Sequence, residues 1–295
     1  MTTPSSRGRP GRSPAAGHAS RAIVLGGGGL TGIAWEVGLL KGLADAGTDL
    51  GVADAIVGTS AGAFAGAYLA SGRLDEFFGR QFSDDVVELA ATMGQETIEA
   101  WGAAIAEGAG DPKAIGRALG RMALGASTVP AEARAGVVES RLAGLEWPDG
   151  RLKLTAIDAE TGEARLLDSS CAIPLATAAA ASGALPGLWP VVEANGHYWI
   201  DGGSVSPVNA WLGEGYDVVL VVAPAPEGMP GMPGVDQDVA HLRATGSRVI
   251  VLVPDQPSKQ AIGDNPFDPA KRAAVAETGR KQGARAAADV TAAWC

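Results

Sequence analysis

The chain has 295 residues, 46% of them hydrophobic and 19% charged, with a formal net charge of −10. That length sustains a substantial core in one large domain or two small ones, and the acidic balance speaks against nucleic acid as a partner and against charge-driven docking on anionic membranes. Cys171 and Cys295 are too few for a disulfide framework; His18, His197 and His241 lie scattered, and no metal-ligand spacing is present, so no metal is expected.

Residues 1–20, MTTPSSRGRPGRSPAAGHAS, hold no acid and no apolar stretch. They read as a disordered arm and not as a secretory signal. No apolar run reaches the length of about 18 residues that a membrane span needs, which predicts a cytoplasmic protein. The run AIVL then predicts a strand, followed by GGGGLTG at 26–32 and a helix from Leu30 to Ala46. In that helix Ile33, Val37, Leu40 and Ala44 recur at helical spacing, and Gly47 closes it. A second apolar run, AIV at 55–57, leads into GTSAG and the small-residue segment AFAGAYLASG. Strand, turn and helix thus occur twice, which predicts βαβ units and a parallel sheet with buried strands.

Residues 73–147 read as mainly helical, without recognisable chemistry, as a scaffold or partial lid. The stretch LKLTAIDAETGEARLLD alternates on either side of ETGE and predicts a β-hairpin. An alanine-rich helix and the Pro-punctuated LPGLWPVV come next, then strands at YWI, DVVLVVA and RVIVLV. Between the last two, APEGMPGMPGVDQD reads as a mobile loop, either a plain surface linker or one whose Met229 and Met232 offer lipid a flexible apolar surface. A final helix is expected over about 268–293.

The glycine loop admits two readings. Gly27, Gly29 and Gly32 match GxGxxG between a strand and a helix, the local context of a dinucleotide site. Such a site also needs an acid at the end of the second strand, and Asp49 and Asp54 both precede that strand. The strand leads instead into Gly58-Thr59-Ser60-Ala61-Gly62, the GxSxG pattern, in which flanking glycines permit a strained strand-to-helix turn that presents the Ser60 hydroxyl.

A nucleophilic serine needs a base and an oxyanion hole. An ordinary α/β-hydrolase places several strands before its serine, whereas one precedes AIV here; a triad of Ser60, Asp217 and His241 is the weaker candidate. The other base is Asp201 in HYWIDGG, where Gly202 and Gly203 leave the carboxylate in an open turn. His197 lies four strand residues away, about 13 Å, too far to assist. An exposed carboxylate is a poor base, so the chemistry requires desolvation or the serine contact itself.

A glycine-rich loop after the first strand, GxSxG after the second and a late DGG resemble, in order, the blocks of the patatin-like phospholipase family. TAIDAETGE, ASGALPGLWPVV and NPFDPAKR resemble further family segments, so the likeness covers about residues 21–285. It implies a three-layer α/β/α fold with a mainly parallel central sheet, forming one domain over 21–295. It also implies Ser60 as nucleophile, Asp201 as base and the backbone of Gly27, Gly28 and Gly29 as oxyanion hole, with no cofactor. The implied activity is acyl hydrolysis of phospholipids, lysophospholipids or neutral esters, with any membrane contact peripheral. A lipid-binding protein without catalysis is the alternative. Leu185, Leu188 and Trp189 are candidates for an acyl channel. The family loop usually carries a basic residue where this chain has Thr31, and the lost cation predicts that neutral or short-chain esters are handled at least as well as diacyl phospholipids.

Overall fold

A computed structural model describes residues 19–148 and 150–294. The arm expected over 1–20 therefore lies, up to His18, outside the described residues, as does Cys295; Cys171 is half-buried and free.

In chain order the elements are β1 (Arg21–Leu25), α1 (Gly29–Asp45), β2 (Ala55–Gly58), α2 (Ala61–Ala70), α3 (Leu74–Arg80), α4 (Gln95–Gly108), α5 (Pro112–Gly125) and α6 (Ala131–Leu142). There follow β3 (Leu152–Asp158), β4 (Ala164–Leu167), α7 (Leu175–Ser182), β5 (Val192–Ala194), β6 (His197–Asp201), β7 (Val218–Val222), α8 (Val235–Ala244), β8 (Arg248–Leu252), α9 (Gln256–Ile262) and α10 (Arg272–Trp294). The two opening βα units, the helical stretch after residue 73 and the β3–β4 hairpin all form as the sequence predicts. Three elements escape it, among them α9, which the sequence reading does not place. β5 is only three residues long, and α8 begins inside the segment read as a mobile loop, where Val235, Val239 and Leu242 recur at helical spacing and are buried.

The strands form one sheet whose pairings run β5–β6–β3–β2–β1–β7–β8, with β4 also on β3. β1 lies parallel to β2 and β7, β2 to β3, and β7 to β8, while β4 and β6 run antiparallel to β3. Strand residues alternate between two faces. Ile23, Leu25, Ile56, Leu220 and Val222 pack with α1, α2 and α10, whereas Val24, Val57, Val219 and Val221 pack with α8. Helices thus cover both faces, and the architecture is three-layered α/β/α with a mostly parallel sheet.

The register of β3 has a consequence for function. Leu154 pairs with both Gly58 of β2 and Leu167 of β4, and Ala156 pairs with both Arg165 of β4 and Asp201 of β6. A strand has two edges, so β4 occupies one and β2 and β6 share the other. β2 and β6 run in opposite directions along that edge, and their C-terminal ends meet at Thr155.

On the outer layer α1 is held against α10 through glycines. A Cβ on Gly38 would lie 2.0 Å from the Ala276 carbonyl oxygen and one on Gly42 2.1 Å from that of Arg280. A Cβ on Gly279 of α10 would lie 2.5 Å from Trp35 O and one on Gly283 2.1 Å from Leu39 O. The Trp35 indole donates to Gln282 Oε1 at 2.9 Å, one hydrogen bond inside this contact.

Candidate active site

The meeting point of β2 and β6 brings Ser60 and Asp201 together. Ser60 sits between β2 and α2 with φ 53° and ψ −107°, a conformation that L-residues rarely adopt. The flanking glycines are required by close approach: a Cβ at Gly58 would lie 2.5 Å from the Gly62 carbonyl oxygen, and one at Gly62 2.3 Å from that of Leu25. The turn is clamped at both ends, the Gly62 amide donating to Gly26 O at 3.0 Å and the Ser60 amide to Ser182 Oγ at 2.9 Å.

Asp201 closes β6 and is not the exposed carboxylate of an open turn. It is 2% exposed, and burial pushes its carboxyl up to about 6. The Ser60 hydroxyl, the Gly203 amide and the charge of Arg134 act in the other direction. Gly203 N–H donates to Asp201 Oδ1 at 2.7 Å, and the Asp201 amide donates to Ala184 O at 3.0 Å. Gly202 is fixed by space, since a Cβ there would lie 2.1 Å from Thr155 Oγ1. Buried side chains tie the two turns together: Thr155 donates to Thr59 Oγ1 at 2.9 Å, and Asn209 Nδ2 reaches Thr59 Oγ1 at 3.2 Å and Gly202 O at 3.0 Å. The desolvation that the sequence reading required is therefore supplied, together with a frame that holds it.

The glycine loop runs beside Ser60. Gly27 is close enough that a Cβ would lie 3.5 Å from Ser60 Cβ, but its amide donates to Pro207 O at 2.7 Å. Its amide is thus committed elsewhere, which removes it from the expected oxyanion donors. The amides of Gly28 and Gly29 have no acceptor among the described residues. They stand at the N-terminal end of the 17-residue α1, which has no side-chain cap, so the positive end of the helix faces the same space. Gly29 has φ +65°, and Pro266 O and the Phe267 ring leave no room for a side chain there.

A cavity of about 390 Å³ opens over these groups, within the size range of small-molecule sites. Gly27, Gly28, Gly29, Ser60, Asp201 and Gly203 line it, as do Leu185 and Trp189. Leu188, the third candidate for the channel, is not among the lining residues; one turn on from Leu185, its amide bonds Leu185 O and it stays half-buried. Met229 and Met232 also face the cavity, and Met232 is buried, so the Met-rich segment packs inward instead of forming a free apolar surface. The helical region 73–147 contributes Leu89, Met93, Trp101, Arg134 and Arg141 to the wall. It is more than a scaffold, because Arg134 brings a charge close to Asp201.

The alternative triad does not assemble. Asp217 lies at the N-terminal end of β7, where Oδ2 accepts from the Ser20 amide and hydroxyl at 2.7 and 2.8 Å. Ser60 lies beyond the C-terminal ends of the same parallel strands. His241 is an exposed residue of α8, with Nε2 3.3 Å from Glu214 Oε2. His197 instead reaches Asp158, Nδ1 to Oδ2 at 2.6 Å. Among the described residues no cluster of three or more His, Cys, Asp or Glu side chains could hold a metal.

A family profile described as "Patatin-like phospholipase" matches residues 23–212, which include Ser60, Asp201 and the glycine loop. The chain belongs to the patatin-like phospholipase family. Among solved structures it is similar to VipD from Legionella pneumophila, with 14% identity and a TM-score of 0.44 over 92% of this chain and 67% of that one. It is also similar to the type III effector protein ExoU, with 17% identity and a TM-score of 0.41 over 92% of this chain. The chain spans 53% of ExoU, about half its length. No curated protein sequence matches it. Membership places it among lipid hydrolases at the level of the family.

Against the patatin-like pattern the departure at Thr31 is structural as well as chemical. Thr31 is fully buried, and its amide donates to Pro266 O at 3.0 Å. Ser182, Asn209, Thr155 and Arg134 are the site residues that sequence reasoning missed. Thr155 and Ser182 lie in TAIDAETGE and ASGALPGLWPVV, segments that carry the resemblance but gave neither a role; Asn209 and Arg134 belong to no motif, and all four reach the site only through pairing of distant segments.

Proposed function

We propose that the protein is a lipid acyl hydrolase that cleaves carboxylic esters through an acyl-serine intermediate. The observation that carries this reading is the meeting of Ser60 and Asp201 at the ends of β2 and β6, beside two amides without acceptors and under an apolar cavity.

Ser60 Oγ gives its proton to Asp201 and attacks the ester carbonyl. The carbonyl oxygen becomes an oxyanion, which accepts from the amides of Gly28 and Gly29 and is favoured by the N-terminal end of α1. Collapse of the tetrahedral intermediate expels the alcohol, which takes the proton back from Asp201. The ionised carboxylate then draws a proton from water as the water attacks the acyl-serine, and returns it to Ser60 as the fatty acid leaves. Every proton is accounted for by Asp201. Contact with a bilayer is peripheral in this reading: among the described helices none is long and apolar enough to cross a membrane.

Hydrolysis of a p-nitrophenyl ester series from short to long acyl chains tests the reading, run with Ser60→Ala and Asp201→Asn in parallel. Loss of at least about 1,000-fold in kcat is expected for Ser60→Ala and a comparable loss for Asp201→Asn. A folded wild type that cleaves no ester and takes no label from a serine-directed phosphonate is a lipid binder instead.

A further inference from the structure

Arg134 is a cation without a counterion in contact among the described residues. It projects from α6 into the cavity wall and is 6% exposed, and its Nε and Nη1 are buried without a hydrogen-bond partner among those residues. Its guanidinium carbon lies over the Trp189 ring, 4.2 Å from the centroid, a contact that satisfies none of its donors. Arg141, the other cation of the wall, is neutralised by Glu88, with Nη2 2.5 Å from Oε2. Burial draws Arg134 down to about 9, so it remains charged at neutral pH.

Gly183 fixes where that charge is felt. A methyl on its Cα would lie 3.8 Å from Arg134 Nη2 and 3.9 Å from Ser60 Oγ, so the guanidinium and the serine hydroxyl face one small space. A buried guanidinium with unsatisfied donors is costly to keep, and an oxyanion fits its planar fork.

We propose that Arg134 is a specificity-determining residue that receives an anionic oxygen group, phosphodiester or carboxylate, carried by the substrate close to its scissile ester. The proposal rests on the hydrolase reading. It relocates to α6 the cation that the glycine loop lacks at Thr31, and it reverses the preference for neutral esters that the loop alone suggests.

The test compares three substrates with one acyl chain in neutral detergent micelles: a monoacylglycerol, the corresponding lysophosphatidylcholine, and the same acyl group on glyceric acid. Measurements at pH 8 keep Asp201 of the wild type ionised, and the ratio between substrates cancels any change in Asp201 common to all three in a variant. Wild type is expected to favour at least one anion-bearing ester over the neutral one by about 10- to 100-fold in kcat/KM. Whichever ester is favoured identifies the phosphodiester or the carboxylate as the group received. Arg134→Met should bring the ratio close to one, and Arg134→Lys, which keeps a charge without the fork, should restore part of it. Thermal melts report whether each variant is folded, and the Lys variant carries the test if the Met variant is not. A wild-type ratio of one, or an equal loss on all substrates in a folded variant, overturns the proposal while leaving the hydrolase intact. A folded wild type that cleaves none of the three and takes no phosphonate label overturns both.

Discussion

An ionised Asp201 gives up hydration that the floor of the cavity does not fully replace. In the unfolded chain its carboxyl titrates near 3.8, and in the fold near 6. Between those values the folded chain keeps a proton that the unfolded chain has lost. Stability from this group is therefore complete below 3.8 and is lost as pH rises through about 6, a cost of about 3 kcal/mol near pH 7. Asp201→Asn removes the charge and keeps an acceptor for the Gly203 amide. It should be more stable than wild type near pH 7 in urea denaturation, with the difference vanishing towards pH 4, although the proposed chemistry has it lose turnover. In wild type the same titration should make kcat/KM rise with pH through about 6 and then level, since only the ionised form accepts the serine proton; a flat profile from pH 4 to 8 would remove Asp201 from its role. Gly183→Ala is a second test at this scale. Its backbone, with φ −111°, accepts alanine without strain, and the added methyl lies in ordinary contact. The melting temperature should stay close to wild type while kcat/KM falls by about 10- to 100-fold, because the methyl fills the space that the ester must enter. Ser60 and Asp201 were legible from sequence because their neighbouring glycines announce turns. Arg134 announces nothing and Gly183 no more than its place in ASGALPGLWPVV, as their meaning depends on an approach between α6, α7 and β2 that no local pattern encodes.

The pairing of α1 with α10 sets helix propensity against packing. Alanine exceeds glycine in helix propensity by about 1 kcal/mol, so Gly38→Ala would stabilise an isolated helix. Here its Cβ would lie 2.0 Å from a backbone oxygen of α10, and the helices must separate. The variant should lose at least about 2 kcal/mol in chemical denaturation; a gain would mean that the two helices do not touch as described. Separation would also disturb the end of α1 that faces Ser60, so a matching loss of turnover is expected. The sequence announced α1 through its apolar spacing, which assigns no use to Gly38 and Gly42. Their use is visible only against Gly279 and Gly283, some 240 residues later. α8 was hidden for another reason: the Gly- and Pro-rich run before it drew attention to a loop, and the apolar spacing beyond that run is short.

At the scale of the whole molecule the chain closes on itself late. β1 is interior to the sheet, flanked by β2 and by β7, and α1 is covered by α10, the last described helix. A chain cut before Arg272 should leave the face of α1 uncovered and be recovered as aggregate or as a protease-sensitive species, whereas the full chain resists limited proteolysis. Alternation of buried strands and helices made the layers readable in advance. The order of strands was not, because β6 returns antiparallel to the edge of β3 that β2 leaves free, and only register reveals that. That shared edge has a temporal meaning. During synthesis the serine emerges about 140 residues before the aspartate that the proposed chemistry demands, and the central strand waits longer still for β7. In the proposed chemistry a chain still on the ribosome therefore carries a nucleophile without its base until β6 has been made.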